Sequence, residues 1–415
     1  MHRPANEQIV LPSASANVAA AEAQPLLQGK TLIAFLTLLA ALGMLATNMY
    51  LASFPSIGHD LGTTPTAVRL TLTVFLVGFA FGQLVIGPLS DRYGRRPVLL
   101  AGLLVYAVAS ALCAVTASLE WMLAVRVLQA IGACTGSVVA RAVARDLFQG
   151  DALTRSLGLV TTFTAAAPGF SPLIGGLIET FLGWRATFAL LALVGAFAAA
   201  AAWLRIGETN HTRATHLSLA HAFAGYFSLM GKRLFLVPAA ATTCAMGGLF
   251  AFFASSPTIF IRGFGVPPAL FGLIPCFTVF AVFAGGFSAQ RLARKWPGLA
   301  PIVGGLALMI IGGGAMLAFA LWGQAGIAEV IGPLLVFLFG MGIVNPLSTV
   351  AAIRPFPEQA GAASALVGFF QMAGGALGTV ILNAIPLPIL EALPAVMLIA
   401  AIIGLLAAAF SFQRA

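Results

Sequence analysis

The chain has 415 residues, 60% of them hydrophobic and 8% charged. Soluble domains carry roughly 25% charged residues, so 21 basic and 12 acidic side chains exclude an ordinary globular protein. A mean hydropathy of +1.01 and recurring apolar runs of about twenty residues point to a polytopic protein in a lipid bilayer. The net charge of +9 comes without a basic patch on a soluble surface, which argues against a nucleic-acid partner.

Residues 1–29 mix Pro, Ala, Ser, Asn and Gln without periodicity and read as a disordered tail. The run from Thr31 to about Pro55 is too long for a signal-peptide core and lacks a convincing cleavage pattern, so it is expected to stay as the first span. Spans near 31–54, 67–90, 97–116, 119–140, 157–181 and 186–204 are followed by spans near 236–258, 268–290, 300–322, 329–351, 361–382 and 392–412, twelve in all. The longest polar interruption falls between the sixth and seventh, dividing the chain into a tail (1–30), a first bundle (31–204), a cytoplasmic linker (205–235) and a second bundle (236–415). Within the linker, Leu217 to Met230 suits an amphipathic helix on the membrane surface. The expected fold is all-α, with twelve transmembrane helices in two six-helix bundles.

Lys and Arg accumulate in cytoplasmic loops. With the N-terminus inside, seventeen of them fall at inner ends, only Arg69, Arg185 and Arg262 fall at outer ends, and Arg126 stays within the membrane. Both termini are therefore expected in the cytoplasm, at the inner (plasma) membrane. The four cysteines, Cys113, Cys134, Cys244 and Cys276, sit in apolar runs at irregular spacing and read as small buried hydrophobes, not as a disulfide framework or a metal site. No GxSxG elbow, HExxH helix or Walker loop occurs, and no histidine–carboxylate cluster falls within a span, so an enzyme is not expected, nor any cofactor.

Weak internal similarity links the halves: Gly87-Pro-Leu-Ser-Asp-Arg-Tyr-Gly-Arg-Arg after span two has a degraded counterpart beginning at Gly285 after span eight. The first of these loops matches GxLSDRxGRR. On that loop the chain resembles the major facilitator superfamily over residues 31–412. Thr47-Asn-Met-Tyr-Leu-Ala-Ser-Phe-Pro, Gly82-Gln-Leu-Val-Ile-Gly-Pro, Arg141-Ala-Val-Ala-Arg-Asp-Leu-Phe and Gly183-Trp-Arg-Ala-Thr-Phe narrow the resemblance to the twelve-helix drug:proton antiporters of the bicyclomycin and chloramphenicol resistance type (Bcr/CflA). It implies the major facilitator fold, alternating access at a site between the bundles, and export of small amphipathic compounds in exchange for protons. A monomer is expected. Export of a metabolite of the cell, such as a siderophore, would use the same scaffold, and an uncoupled facilitator is a further alternative.

The resemblance also assigns roles. Gly87, Asp91, Arg92, Gly94, Arg95 and Arg96 form an inner gate, in which Asp91 is expected to pair with Arg141 or Arg145, near Asp146, and to face the start of span eleven; plain positive-inside topology would explain the arginines alone. In span five, Gly158, Ala167, Ser171, Pro172, Gly175 and Gly176 fit the antiporter pattern G-x8-G-x3-GPxxGG, and Pro168 adds a second break. Arg126, Gln129, Ala130 and Gly132 fit R-x-x-Q-G-x-G, whose arginine the family ties to proton coupling; an arginine locked structurally to a carbonyl is the other reading. Gln129, Ala133 and Ser137 continue its face at i+3, i+7 and i+11.

Many relatives carry Asp where this chain has Asn48, and no acid falls at mid-membrane. Either recognition leans on Arg126 and Arg69 and favours neutral or anionic substrates, or Glu179 or Asp146 reaches the cavity and coupling is ordinary. Proton-coupling candidates are thus Arg126, Asp146 and Glu179. Polar and aromatic residues inside the spans give a candidate cavity wall of Asn48, Tyr50, Arg126, Gln129, Thr162, Thr243, Phe250, Phe253, Asn345 and Gln371.

Overall fold

The computed structural model describes residues 29–210, 219–296, 298–323 and 325–412. Residues 1–28 of the predicted tail lie outside the described residues, as do Leu217 and Ser218 of the predicted surface helix, whereas Gly29 and Lys30 already belong to the first helix. Twelve helices are long and apolar enough to cross a membrane: α1 Gly29–Asp60, α2 Pro65–Tyr93, α3 Arg95–Ala114, α4 Leu119–Leu147, α5 Gly150–Leu182, α6 Trp184–Arg205, α7 Arg233–Gly263, α8 Pro268–Lys295, α9 Ala300–Leu321, α10 Ile327–Ile353, α11 Pro357–Ala384 and α12 Ile389–Ala409. No strand occurs among the described residues. Every predicted span has its helix, and six of them, α1, α4, α5, α7, α8 and α11, run a turn or more past the apolar window, because the polar ends that emerge from lipid still satisfy their backbone groups best as helix.

Local chemistry sets several ends. The side chains of Thr64 and Ser118 accept from the backbone N–H groups of Ala67 and Trp121, capping α2 and α4. Gly94 (φ 101°) and Gly183 (φ 79°) supply the positive φ at which α2 turns into α3 and α5 into α6. Leu219–Met230 forms the helix expected in the linker. Its Leu229 is buried, and the Tyr226 hydroxyl donates to the Leu84 carbonyl at 3.0 Å. Burial first, and the charge of Asp91 second, push the Tyr226 phenol up to about 12.

The pairing of helices repeats after six. In the first half α2 and α3 pack on α4, α3 on α6, and α1 on α4 and α5; in the second, α8 and α9 pack on α10, α9 on α12, and α7 on α10 and α11. Lipid offers little hydrophobic drive to helix association, so close backbone packing has to supply it. Gly132 of α4 meets the Gly102 carbonyl of α3, and its counterpart Gly340 of α10 meets the Gly305 carbonyl of α9. Across the halves the repeat also holds, for α2 packs on α11 and α8 on α5.

One end of the molecule is shut. This distal end carries the α1–α2 and α5–α6 connections; the proximal end carries the α2–α3 loop. Distally, Arg69 donates to Asn383 at 2.6 Å, Thr73 and Thr379 share a hydrogen bond of 2.7 Å, and Gly176 runs against the Pro268 carbonyl. Along α5, Gly169, Ser171, Pro172, Gly175 and Gly176 are buried, whereas most of Asp151 through Thr162 is exposed. The halves therefore part toward the proximal end. Cys113 and Cys134 are buried as expected, but Cys244 and Cys276 are only partly so.

Candidate functional site

The parting of the halves leaves a cavity of about 270 Å³ walled by α1, α4, α5, α7, α8, α10 and α11. Its wall is mainly apolar, with Met44, Met246, Met341, Leu249, Phe250 and Phe253 prominent. Thioether and aromatic side chains of this kind adapt to varied shapes. The polar groups are few: Ser137, Arg141, Thr161, Thr164, Thr278, Asn345 and Gln371. Thr164 and Thr278 donate back to the carbonyls of Val160 and Pro275, which leaves the amides as the main neutral hydrogen-bonding groups.

Those amides are held in place from behind. Asn345 Oδ1 accepts from Thr242 Oγ1 at 2.6 Å and from Gln371 Nε2 at 3.0 Å, and Gln371 Nε2 also lies 3.1 Å from Thr242 Oγ1 and 3.2 Å from Thr349 Oγ1. No protein partner among the described residues takes Asn345 Nδ2 or Gln371 Oε1, so the cavity is offered one amide donor and one carbonyl acceptor. Such a site suits a drug-sized amphipathic molecule.

Four of the ten predicted wall residues, Phe250, Phe253, Asn345 and Gln371, line this cavity. The other six do not. Asn48, Tyr50, Arg126 and Gln129 are fully buried inside the first half. Arg126 Nη1 donates to the Ala46 carbonyl at 3.0 Å and to Gln129 Oε1 at 2.6 Å, and Nε reaches the Thr71 carbonyl at 3.4 Å. The guanidinium lies 4.4 Å from the ring centres of both Tyr50 and Phe75, while Gln129 passes the chain on to Ser110 at 2.8 Å. Asn48 donates to the Met44 carbonyl and to Thr47, each at 2.9 Å, and the Tyr50 hydroxyl bonds Thr71 at 3.0 Å. Aromatic rings and carbonyls hold this charge within the bundle, so the structural lock describes Arg126 better than a substrate contact. Thr162 and Thr243 miss by one residue each: Thr161 lines the cavity, and Thr242 joins the amide network while Thr243 donates to Ala239 and packs on Gly374. A one-residue step turns a helix by about 100°, enough to move a side chain off the wall.

The polar stripe on α4 points correctly but was stopped too soon. Arg126, Gln129 and Ala133 are buried, Ser137 reaches the cavity, and the next step of the same face is Arg141, whose exposed side chain is the charged group of the wall. Extending the stripe by four residues would have found it.

The inner gate is built differently from the expectation. Asp91 pairs with Arg95 rather than with Arg141 or Arg145. Arg95 also bonds Ser90 at 2.8 Å and Asp146 at 3.0 Å, and Asp146 accepts from Thr209 at 3.1 Å. Glu208 accepts from the backbone N–H groups of Arg95, Thr209 and Asn210 at 2.9–3.0 Å, and Arg96 donates to the Trp203 carbonyl at 2.8 Å. The turn at Gly94 folds Arg95 back over α2, so it reaches Asp91 from four residues away before any arginine of α4 can. Arg92 lies over the Tyr93 ring, and nothing approaches Gly87. Arg145 is exposed and makes no ion pair among the described residues.

Neither acidic coupling candidate reaches the cavity wall. Asp146 is tied to Arg95 and Thr209. Glu179 stands near the distal end of α5, three residues past the seam glycine Gly176, where one carboxylate oxygen accepts from Ser56 of α1 and the other is buried without a partner among the described residues. In α5, Pro168 lines the cavity, Pro172 and Gly176 lie in the closed seam against α8, and Gly175 packs on Met49 of α1 within the first half. Arg69 is likewise a seam residue, bonded to Asn383 and Thr66, and not a cavity one.

Against known proteins, residues 36–379 match the model of the Major Facilitator Superfamily. A chloramphenicol resistance protein of Pseudomonas aeruginosa is 36% identical over 84% of this chain and 82% of its own length. A bicyclomycin resistance protein homologue of Haemophilus influenzae is 31% identical over 84% and 89%. Among solved structures, a bacterial homologue of the human lysosomal transporter Spinster, inward-facing and unoccupied, superposes with a TM-score of 0.70 at 16% identity, covering 92% of this chain and 96% of that one. At that identity the likeness concerns the fold.

Proposed function

The chain belongs to the Major Facilitator Superfamily, and from that premise we propose that it exports small amphipathic drugs by alternating access in exchange for protons. It is a transporter, not an enzyme. The observation that carries the reading is the cavity itself: drug-sized, walled by methionine and phenylalanine, equipped with one oriented amide pair, and placed where the two halves part. The names of the resistance proteins it resembles support the same substrate class.

In this reading residues 31–204 and 236–415 rock as the two units, the 205–235 segment joins them, and a single chain suffices. The proximal end faces the cytoplasm of the cell, as the excess of Lys and Arg there supports, so both termini lie inside and the membrane is the inner one. A drug entering from the cytoplasm settles against Phe250 and Phe253 and bonds the amides of Asn345 and Gln371. Opening the seam at Arg69–Asn383, Thr73–Thr379 and Gly176–Pro268, while the proximal ends close, releases it outward. Glu179 is the carboxyl whose exposure changes when that seam opens, and such a change is what a proton carrier requires.

The test uses proteoliposomes with an imposed pH gradient, recording chloramphenicol flux together with proton movement. Addition of chloramphenicol is expected to drive proton flow in the opposite direction, and Glu179→Gln to abolish it. Chloramphenicol flux without proton flow would make the protein a facilitator, the reading favoured by the absence of a carboxylate from the described cavity wall. No flux at all would remove the drug-export reading.

A further inference from the structure

We infer that Arg141 makes the cavity selective for amphipathic anions, so that the substrate is a carboxylate- or sulfonate-bearing molecule with an apolar body. The inference rests on the export reading and names its substrate class. Arg141 lies six residues inside the end of α4, with its side chain exposed on the cavity wall, and it makes no hydrogen bond or ion pair with any described residue. A guanidinium set among apolar side chains on a cavity wall is held by water until a counter-charge replaces it.

The chain has few acids that could supply one. Those of the second half are Glu329, Glu358 and Glu391. Glu329 and Glu391 start α10 and α12 at the distal end, and Glu358 stands in the opening turn of α11, at the proximal rim. In the first half Asp146 and Asp91 are already taken by Arg95, Glu208 by backbone N–H groups and Asp60 by Arg185; Glu179 sits near the distal end with Ser56, Glu120 opens α4 at the distal end, and Asp151 stands exposed in the first turn of α5, off the cavity wall. The residues of the seven walling helices that face the cavity include no carboxylate. Among the described residues the cavity wall thus holds no carboxylate for Arg141, and its planar fork of N–H donors is free to match a carboxylate or sulfonate with two parallel hydrogen bonds.

Arg145 reinforces the choice. It stands one turn nearer the proximal mouth, exposed and unpaired among the described residues, so an entering molecule meets one cation on the rim and a second on the wall. The apolar body of the same molecule then lies against Phe250, Phe253 and Met246, within the same cavity. A cationic drug would meet two like charges and, on the cavity wall among the described residues, no carboxylate.

The experiment is isothermal titration of the purified full chain in phosphatidylcholine nanodiscs with chloramphenicol, its negatively charged hemisuccinate, and tetraphenylphosphonium. The hemisuccinate is expected to bind at least tenfold tighter than the neutral parent, and tetraphenylphosphonium weakest. Arg141→Gln is expected to collapse the ratio of the first two to within threefold of unity, Arg141→Lys to keep most of it, and Arg141→Glu to invert the order in favour of tetraphenylphosphonium. Equal binding of hemisuccinate and parent by the unaltered chain, or a preference that survives Arg141→Gln, would overturn the inference. Adding phosphatidylglycerol separates a soluble anion from a lipid headgroup: the preference is expected to persist, and its loss would assign the guanidinium to lipid and overturn the substrate reading. If chloramphenicol itself neither binds nor moves, the export reading fails; if it does and the anion holds no advantage, only the charge selectivity fails.

Discussion

Replacing Arg126 by lysine is expected to damage the protein more than replacing it by methionine. The guanidinium makes bonds of 2.6, 3.0 and 3.4 Å to Gln129, Ala46 and Thr71 and lies 4.4 Å from two aromatic ring centres. Hydrogen bonds from a charged group contribute about 1.5–3 kcal/mol each, and desolvated cation–π contacts about 1–2 kcal/mol each. The gross gain is then roughly 7–13 kcal/mol, against a desolvation cost of several kcal/mol for the buried ion. Methionine removes both sides of that balance and fills most of the volume, so Arg126→Met is expected to cost about 1 kcal/mol. Lysine keeps the buried charge, but a single ammonium cannot bridge the Ala46 carbonyl and Gln129 while lying flat between Tyr50 and Phe75. Losing about half the contacts without recovering the desolvation cost puts Arg126→Lys near 3–4 kcal/mol. The assay is thermal unfolding in detergent followed by tryptophan fluorescence, comparing the drop in apparent Tm of the two variants. A methionine variant as unstable as the lysine variant, or more so, would show that charge and not the planar fork holds the site together.

The glycines of α5 offer a graded series: a Cβ on Gly175 or Gly176 would overlap the carbonyl of Met49 or Pro268, whereas Gly158 has nothing within 4 Å. Gly176→Ala is expected to hold the distal seam open, raising maleimide labelling of Thr379→Cys in a cysteine-free background; Gly175→Ala, which presses α5 against α1 of its own half, is expected to lower stability without that labelling, and Gly158→Ala to match the parent. Asn345→Leu leaves Gln371 and Thr242 without their shared acceptor, and is expected to cost about 2 kcal/mol of stability and to weaken chloramphenicol binding about tenfold; unchanged binding would take the amides out of the site. Tyr226→Phe removes the bond to the Leu84 carbonyl at a cost of about 1 kcal/mol. Because the folded phenol titrates near 12, above its ordinary value of 10, the contribution of Tyr226 is complete below pH 10 and is lost as pH rises through 12. The protection factors of the linker-helix amides, with the base-catalysed rise of intrinsic exchange divided out, are therefore expected to stay flat to pH 10.

The membrane itself made most of the fold readable in the sequence. Each crossing needs about twenty apolar residues and a fully bonded backbone, so all twelve spans could be found from composition, and the long polar gap after Arg205 marked the midpoint. Rotation and depth were not readable in the same way. Asn345 and Gln371 were found because a buried amide must have partners, but Thr162 and Thr243 were each chosen one position away from the residues that matter. Arg126 was drawn toward the cavity because its cost in lipid is evident from sequence, whereas the rings and carbonyls that meet that cost come from α1, α2 and α6, far away in the chain. Sequence proximity groups Arg141 with Asp91 at the inner end; only the turn at Gly94 shows that Arg95 has already claimed that acid.

The two polar networks divide labour between the halves. Arg126 and its partners lie buried within the first half and off the cavity wall, so a change there is expected to alter the frame for every substrate alike. The Thr242–Asn345–Gln371–Thr349 network borders the cavity and has two polar atoms to spare. Under selection by a new toxic compound, adaptive substitutions are therefore expected to collect in α7, α10 and α11, with the buried arginine and its rings left unaltered. Half of such a molecule can explore new chemistry while the other half preserves the lever that moves it.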